Sequence, residues 1–550
     1  MRPALLLSSL ALAASLAFAQ SFTVVSSPAI AHDTSLPLSR LIATAPPPPR
    51  YPFGRGPVRT PLLGRGRRGP VRRFTPPPPP APVMPPPVSA AAAAIEQTQP
   101  GFRPAAPLLA AFNGLGAGFK GPQGTAFFRN PSDNSLAVGP TQIIQTVNAR
   151  FAIFDKTGRA LYGPIPTRVV FDGFHGECGQ VGFGDVVVRY DQLAGRWVWV
   201  MPIFRKPAGS TAATPYGMCY AVSQTSDPLG RYYRYDFARK LFPDYPRLGV
   251  WPDGYYLGTS TGDTVIQKHA CVADRAAMLR GAQASEQCAI VNGVNFLNPM
   301  DIEGRRLPPA GAPDLIFANG GTQLRRIFHG TSLHYYRFHV DWRDPSRSRL
   351  TGPFRISVAP YHYLCNGQLT SCVPQPGTNH RLDAQGDKLM QPVVYRRVGK
   401  RQLVALLDSV NTRGAGGGVR WYELEIGKDG NPHLLQQGTF DPGGGFRWMA
   451  SLGLDRQGNI AMGYSYGDGM TYVGQRLTGR LANDPPGKMT FAETILARGG
   501  AAQTNTVRWE DYTTMDVDPA DDCTFWYVGD YLQPGATAYT TRIGSIRLCR

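Results

Sequence analysis

The chain has 550 residues, 42% of them hydrophobic and 17% charged, with a net charge of +19. That apolar content excludes a wholly disordered polymer and leaves room for one large domain or several small ones. The positive charge does not mark a nucleic-acid partner: ten arginines against only Asp33 and Glu96 fall between Gln20 and Arg103, and the remainder is mildly basic for its size.

The N-terminus opens with Met1-Arg2 and an apolar run from Ala4 to Phe18, and Ala17-Phe18-Ala19 offers small residues at a cut before Gln20. This pattern predicts a signal peptide over residues 1–19. No later run reaches the ~20 apolar residues of a membrane span. The expectation is a secreted protein, extracellular or periplasmic, with no transmembrane segment and monomeric.

Residues 20–105 hold the proline runs Pro46–Pro49, Pro76–Pro80 and Pro85–Pro87, Gly-Arg repeats and the alanine run Ala90–Ala94. Few large apolar residues offset the entropy of ordering, so a disordered leader is expected. Its proline runs would act as an extended spacer, and its arginines would suit an anionic surface such as envelope polymer.

From residue 106 to 550 the texture changes. Runs of Val, Ile, Tyr, Phe and Trp alternate with Gly, Pro, Asp and Asn clusters, which is a strand-and-turn signature. One short helix is expected between Cys271 and Cys288, around Ala276–Leu279. A polar start, an apolar strand, a tight turn and a second apolar strand recur. Copies begin near Asp133, Asp185, Tyr245, Asp314, Met390, Arg447 and Arg508. Many are followed by a further strand pair. The fold class predicted is all-β: a β-propeller of seven four-stranded blades, closed by the last strand, Thr541–Leu548. Two tandem β-sandwiches are the rival architecture.

The eight cysteines lie after residue 170, an even set suited to an oxidising compartment. Spacing alone leaves the pairing open. Sequential pairing, Cys178–Cys219, Cys271–Cys288, Cys365–Cys372 and Cys523–Cys549, closes the shortest loops and is the expectation. No C-x2-C pair favours zinc.

Several segments together carry a family resemblance: Leu136–Asn148, Asp244–Asp253, Gly418–Glu423, Arg447–Leu452, Arg508–Pro519 and Asp521–Tyr527. On these the chain resembles an uncharacterised family of secreted bacterial β-propeller proteins, loosely similar to sialidase or BNR-type propellers. The resemblance implies a propeller and no defined activity. The nearest approach to a sialidase Asp-box, Thr225–Tyr233, carries one residue too many before Gly230.

Other motifs read as structural. Gly463-Tyr464-Ser465-Tyr466-Gly467 fits a nucleophile elbow, yet no helix is expected after it. Asp516, Asp518, Asp521 and Asp522 could gather oxygens around Ca2+, but hairpin turns explain the same composition, and no cofactor is expected. His334 and His339 fall on opposite faces of one strand, and His175 is an isolated loop residue.

In a propeller the first strand of each blade lines the central channel, so its starting residues meet at one mouth. These are Asp133, Asp185, Arg247, Arg447, Arg508, Glu510 and Asp511, beside Trp448, Trp509 and Tyr512. Arginine forks match carboxylate or sulfate, and the rings could stack on a sugar. Ligand binding is therefore expected at Asp185, Arg247, Arg447, Trp448, Arg508, Trp509 and Tyr512. Glu510 and Asp511 are the candidate acids. The function expected is a glycan or surface binding module with polysaccharide as partner. The alternatives are a sialidase-like hydrolase or lyase, and a protein-binding scaffold.

Overall fold

The computed structural model describes residues 20–45, 88–182, 184–204, 216–260, 267–294, 296–319, 330–367, 371–414 and 416–549. The segment expected to be a signal peptide, residues 1–19, and the proline- and arginine-rich stretch 46–87 lie outside them.

Strand alternation translates into antiparallel meanders. Ser135–Val138, Gln142–Val147, Arg150–Asp155 and Ala160–Pro166 pair in chain order. The same order recurs in Val187–Asp191, Arg196–Ile203, Tyr216–Ser223 and Tyr232–Arg239. It recurs again in Asp244–Trp251, Gly254–Ser260, Gln267–Ala273 and Ser285–Asn292. Asp314–Asn319, Ser332–His339 and Arg349–Ser357 form a further meander. Val393–Val398, Arg401–Asn411, Gly417–Ile426 and Pro432–Phe440 are joined to the next group, which begins with Phe446–Leu454, through the single pair Gly417–Phe446. The last meander is Thr514–Val517, Thr524–Tyr531 and Thr540–Arg547.

First strands pack side by side, and the last of them, Thr514–Val517, returns to Ser135–Val138. The molecule is thus mostly β with a propeller-like arrangement. Sheets lie between neighbours, so both faces are covered and strands such as Arg196–Ile203 are buried along almost their whole length. Where Asp244–Trp251 meets Met300–Ile302, Gly249 is required: a Cβ there would stand 2.2 Å from the Met300 carbonyl oxygen.

One expectation fails. The sequence predicts a disordered leader from 20 to 105, but residues 20–45 and 88–105 are part of the fold. Gln20–Phe22 pairs with Arg349–Ser357, Val24–Pro28 with Ser285–Asn292, and Ala31–Thr34 with Tyr232–Arg239. One short stretch therefore hydrogen-bonds to the outer edges of three successive sheets, which would otherwise offer open edges. The helix Leu38–Thr44 then buries Leu38, Leu41 and Ile42. Farther on, Glu96–Gln97 pairs with Pro432–Phe440, and Arg103 forms an ion pair with Asp484 at 2.6 Å. Ala110–Gly116 supplies the outer strand of the last sheet. The physical reason is local: Phe22-Thr23-Val24-Val25 is a β-forming run, and its signal was diluted by the prolines that follow.

The four disulfides join the cysteines sequentially, as expected, across separations of 41, 17, 7 and 26 residues. The helix between Cys271 and Cys288 is Arg275–Leu279, with the Asp274 carboxylate accepting from the Ala277 N–H at its start. Among the described residues no helix is long and apolar enough to cross a membrane.

Candidate functional site

At the starting end of the inner strands the backbone repeatedly enters the left-handed region. It does so at Asp133 (φ 50°), Gly184 (45°), Tyr245 (55°), Phe296 (40°), Gln385 (45°), Met449 (48°) and Glu510 (52°). A non-glycine residue held there costs about 1–3 kcal/mol and persists only where the surroundings enforce it. These turns bring a set of charged groups from different sheets within electrostatic range of one another: Asp133, Asp185, Asp244, Asp383, Lys388, Arg508 and Asp511.

Asp511 is the hub. Its carboxylate accepts from Arg508 and from the Gln385 amide at 3.2 Å, and its carbonyl accepts from the Tyr245 hydroxyl at 2.8 Å. The Arg508 guanidinium also lies 3.0 Å from Asp383. Asn148 donates to Asp133 at 2.6 Å, and the Asp133 N–H donates to the Glu510 carbonyl at 2.8 Å. Lys388 is fully buried, 3.1 Å from Asp387, and donates to Gln385.

Burial, then the neighbouring carboxylates, raises Asp133 and Asp185 well above the usual carboxylate range. Asp244 shares a hydrogen bond with Asp185 and is pushed up by burial to about 6. The pair therefore holds a proton close to neutrality. Asp511 raises Arg508 in turn, and burial lowers Lys388.

Arg247 lies within electrostatic range of Asp244, Asp387 and Lys388 but joins none of these hydrogen bonds. It is 2% exposed, with its guanidinium 4.2 Å from the Phe296 ring centre and 5.1 Å from that of Tyr245. None of its three side-chain nitrogens has a hydrogen-bond acceptor. Burial lowers its pKa to about 10. The Tyr512 hydroxyl, also buried, lacks a partner too. A buried cation without acceptors is costly in a finished fold and apt for an incoming anion.

The structure brings Asp185, Arg247, Arg508, Asp511 and Tyr512 together and separates the other expected site residues. Arg447 is closed off: it contacts Glu493 at 3.0 Å and Asp441 at 3.1 Å and donates to the Gly444 carbonyl. Trp448 and Trp509 are fully buried, bonded through their indole N–H groups to the Asp383 carbonyl and to the Ser465 hydroxyl. Neither ring offers a stacking face. Glu510 accepts from Ser465, Gln475 and the Asp530 N–H, which makes it a tie between sheets and takes it away from the mouth. Ser465 is a member of that tie.

Asp516 accepts from the Val138 N–H, and Asp521 shapes its own hairpin by accepting from Cys523 and Thr524. The two His/Cys/Asp/Glu groupings close enough for a metal among the described residues, Cys271-Glu286-Cys288 and Asp455-Cys523-Cys549, use disulfide-bonded cysteines, which offer no thiolate.

Sequence reasoning missed Asp244, Asp383, Asp387 and Lys388. Asp244 was visible in the repeat, one residue before the Tyr245 start. Asp387 and Lys388 precede the Met390 copy but sit in a connection that the repeat does not align.

No protein-family model matches the chain, and no curated protein is significantly similar to it. Solved structures with related shape include a protein of unknown function from Dyadobacter fermentans (10% identity, 81% of this chain and 100% of that one, TM-score 0.29). The hemagglutinin-neuraminidase ectodomain of parainfluenza virus 5 is 9% identical over 64% of this chain and 80% of its own, with a TM-score of 0.30. Endo-1,5-alpha-L-arabinanase from Thermotoga petrophila is 11% identical over 77% of this chain and 100% of its own, with a TM-score of 0.24. Scores this low transfer neither residues nor substrates.

Proposed function

We propose that the protein is a secreted β-propeller of seven blades that binds a polyhydroxylated carboxylic acid, such as an acidic sugar residue of an extracellular polysaccharide, at the mouth built by Asp133, Asp185, Asp244, Arg247, Arg508 and Tyr512. The blade count follows from taking the sheet that is joined only at Gly417–Phe446 as two. The observation that carries the ligand assignment is Arg247, a buried guanidinium with every nitrogen unpartnered. A ligand carboxylate would supply the missing acceptors in a fork-to-fork pair. The surrounding carboxyls would accept from sugar hydroxyls, and the Tyr512 hydroxyl would donate.

A second possibility, hydrolysis, is favoured by the proton shared between Asp185 and Asp244. A carboxylic acid kept protonated near neutral pH is what general-acid catalysis needs. Segment 46–87 would tether the domain to an anionic surface through its arginines.

The test is calorimetric titration with oligogalacturonate and with its neutral, reduced counterpart, followed by mass spectrometry of the mixtures. Binding of the acidic oligomer alone, lost in Arg247→Gln, supports the proposal. Equal binding of both oligomers, or of neither, overturns it. Shortened products that disappear in Asp185→Asn would make the protein an enzyme.

A further inference from the structure

At the opposite ends of the same inner strands lies a cavity of about 570 Å³. Three chain segments build it. Met300–Ile302 runs out into Glu303-Gly304-Arg305-Arg306, Val393–Val398 presents Arg396 and Arg397, and the hairpin after Phe446–Leu454 presents Arg456. Asp522, from the hairpin that precedes Thr524–Tyr531, closes one side.

The charges are unbalanced. Arg396 is committed: it donates to the Leu454 carbonyl at 2.9 Å and forms an ion pair with Asp522. Among the described residues, Arg305, Arg306, Arg397 and Arg456 make no ion pair. Arg305, Arg306 and Arg456 are exposed. Glu303, the other acid in the lining, is buried, accepts from the Leu454 N–H at 2.7 Å, and is raised well above its usual range by burial. It therefore does little to neutralise the group.

The placement is enforced by the backbone. Gly304 (φ 81°) turns the chain back across Arg396, and a Cβ there would lie 3.0 Å from the Arg396 guanidinium. The Gly304 N–H donates to the Gln192 side chain at 3.1 Å, fixing the approach from a third sheet. The arginines are thus gathered by a shaped turn and by strand ends of two neighbouring sheets.

Like-charged guanidiniums held close repel one another and cost stability unless an anion bridges them. A planar carboxylate satisfies one fork, whereas a tetrahedral oxyanion accepts from several directions at once. The cavity volume is that of a small organic ligand, larger than a bare ion.

We infer that this cavity is a second binding site, for a phosphate- or sulfate-bearing ligand, read by Arg305, Arg306, Arg397 and Arg456. It is independent of the mouth at the other end.

Calorimetry on the full chain at low and moderate salt tests it, with inorganic pyrophosphate, a sulfated dextran oligosaccharide and citrate as probes. Arg305→Gln/Arg456→Gln, at two exposed positions, should leave thermal stability of the free protein unchanged or slightly raised and weaken binding at least tenfold. Affinity should also fall with added salt. Pyrophosphate binding would place the group on a small phosphate, and binding of the dextran alone would place it on a sulfated polymer. Binding of neither, binding unchanged in the double variant, or citrate binding as tight as the oxyanions would overturn the inference. Should the double variant unfold, Arg456→Gln alone, on an exposed hairpin, is expected to weaken binding about threefold, and an unchanged affinity there would be equally fatal.

Discussion

The two ends of the inner strands come from one repeat yet use charge in opposite ways. At the starting end, carboxyls predominate, most are buried, and nearly every group is bonded to another sheet; Arg247 and the Tyr512 hydroxyl are exceptions. At the far end, arginines predominate, three are exposed, and only Arg396 is tied to a carboxylate. The difference separates charges that hold the ring together from charges that await a partner. Sign and burial alone do not make that distinction: Arg447 and Arg247 are both buried, but one donates to four residues, Asp441, Pro442, Gly444 and Glu493, and the other has no acceptor.

The largest effect expected is at the closed part of the starting end. Glu510→Ala leaves the Asp530 N–H and the Ser465 hydroxyl without their acceptor, takes one acceptor from Gln475, and should cost on the order of 3 kcal/mol, read by denaturant unfolding. A loss below about 0.5 kcal/mol, the usual range of surface changes, would erase the contrast with the exposed arginines.

Next in size is pH. Burial raises Asp244 and Asp236 to about 6, and Asp408, Asp516 and Asp530 to about 7. Between the unfolded value near ~4 and these values, the native state holds protons that the unfolded chain has lost. Stability should therefore fall as pH rises from about 4 to about 7. Groups shifted the other way, Asp155 and Asp429 at about 2, lose their contribution only below that window. Scanning calorimetry should give a higher Tm near pH 5 than near pH 8, and Asp244→Asn should flatten part of the slope. A Tm that climbs steadily to pH 8 would mean that these carboxyls are solvated and ionised in the native state.

Smaller still is the N-terminal strap. Deleting residues 20–34 removes edge pairing, the Phe22–Tyr336 ring contact and the Asp33 partner of Arg234, which keeps the Val170 and Asp172 carbonyls, so the ring should fold with a Tm lowered by a few degrees. The smallest effect belongs to Arg456→Gln, within about 0.5 kcal/mol of wild type in stability.

Much of this architecture was readable in the sequence because it is periodic. Strand alternation, the Trp251-Pro-Asp-Gly254 and Asp455–Asn459 turns and the sequential cysteines each report on local structure. What escaped depends on contacts distant in the chain. Gln20–Phe22 carries no sign that it will pair with Arg349–Ser357. Arg447 and Trp448 occupy the repeat position of mouth residues, but partners such as Glu493 and the Asp383 carbonyl, which the repeat does not mark, draw them into the core. Conversely, Asp383 and Lys388 lie in a non-repeating connection and reach the mouth only through the fold. The positive-φ turns, mostly at non-glycine residues, leave no composition signal at all.

The most direct measurement is Arg247→Met, with thermal stability and oligogalacturonate binding read on the same preparation. An apolar side chain of similar length removes a buried cation that no hydrogen-bond acceptor of the free protein satisfies, and keeps the packing against Phe296 and Tyr245. If Arg247 serves a ligand, Tm should be unchanged or higher while binding is lost. A marked fall in Tm, or binding that survives the substitution, would show that Arg247 belongs to the fold and would contradict the account.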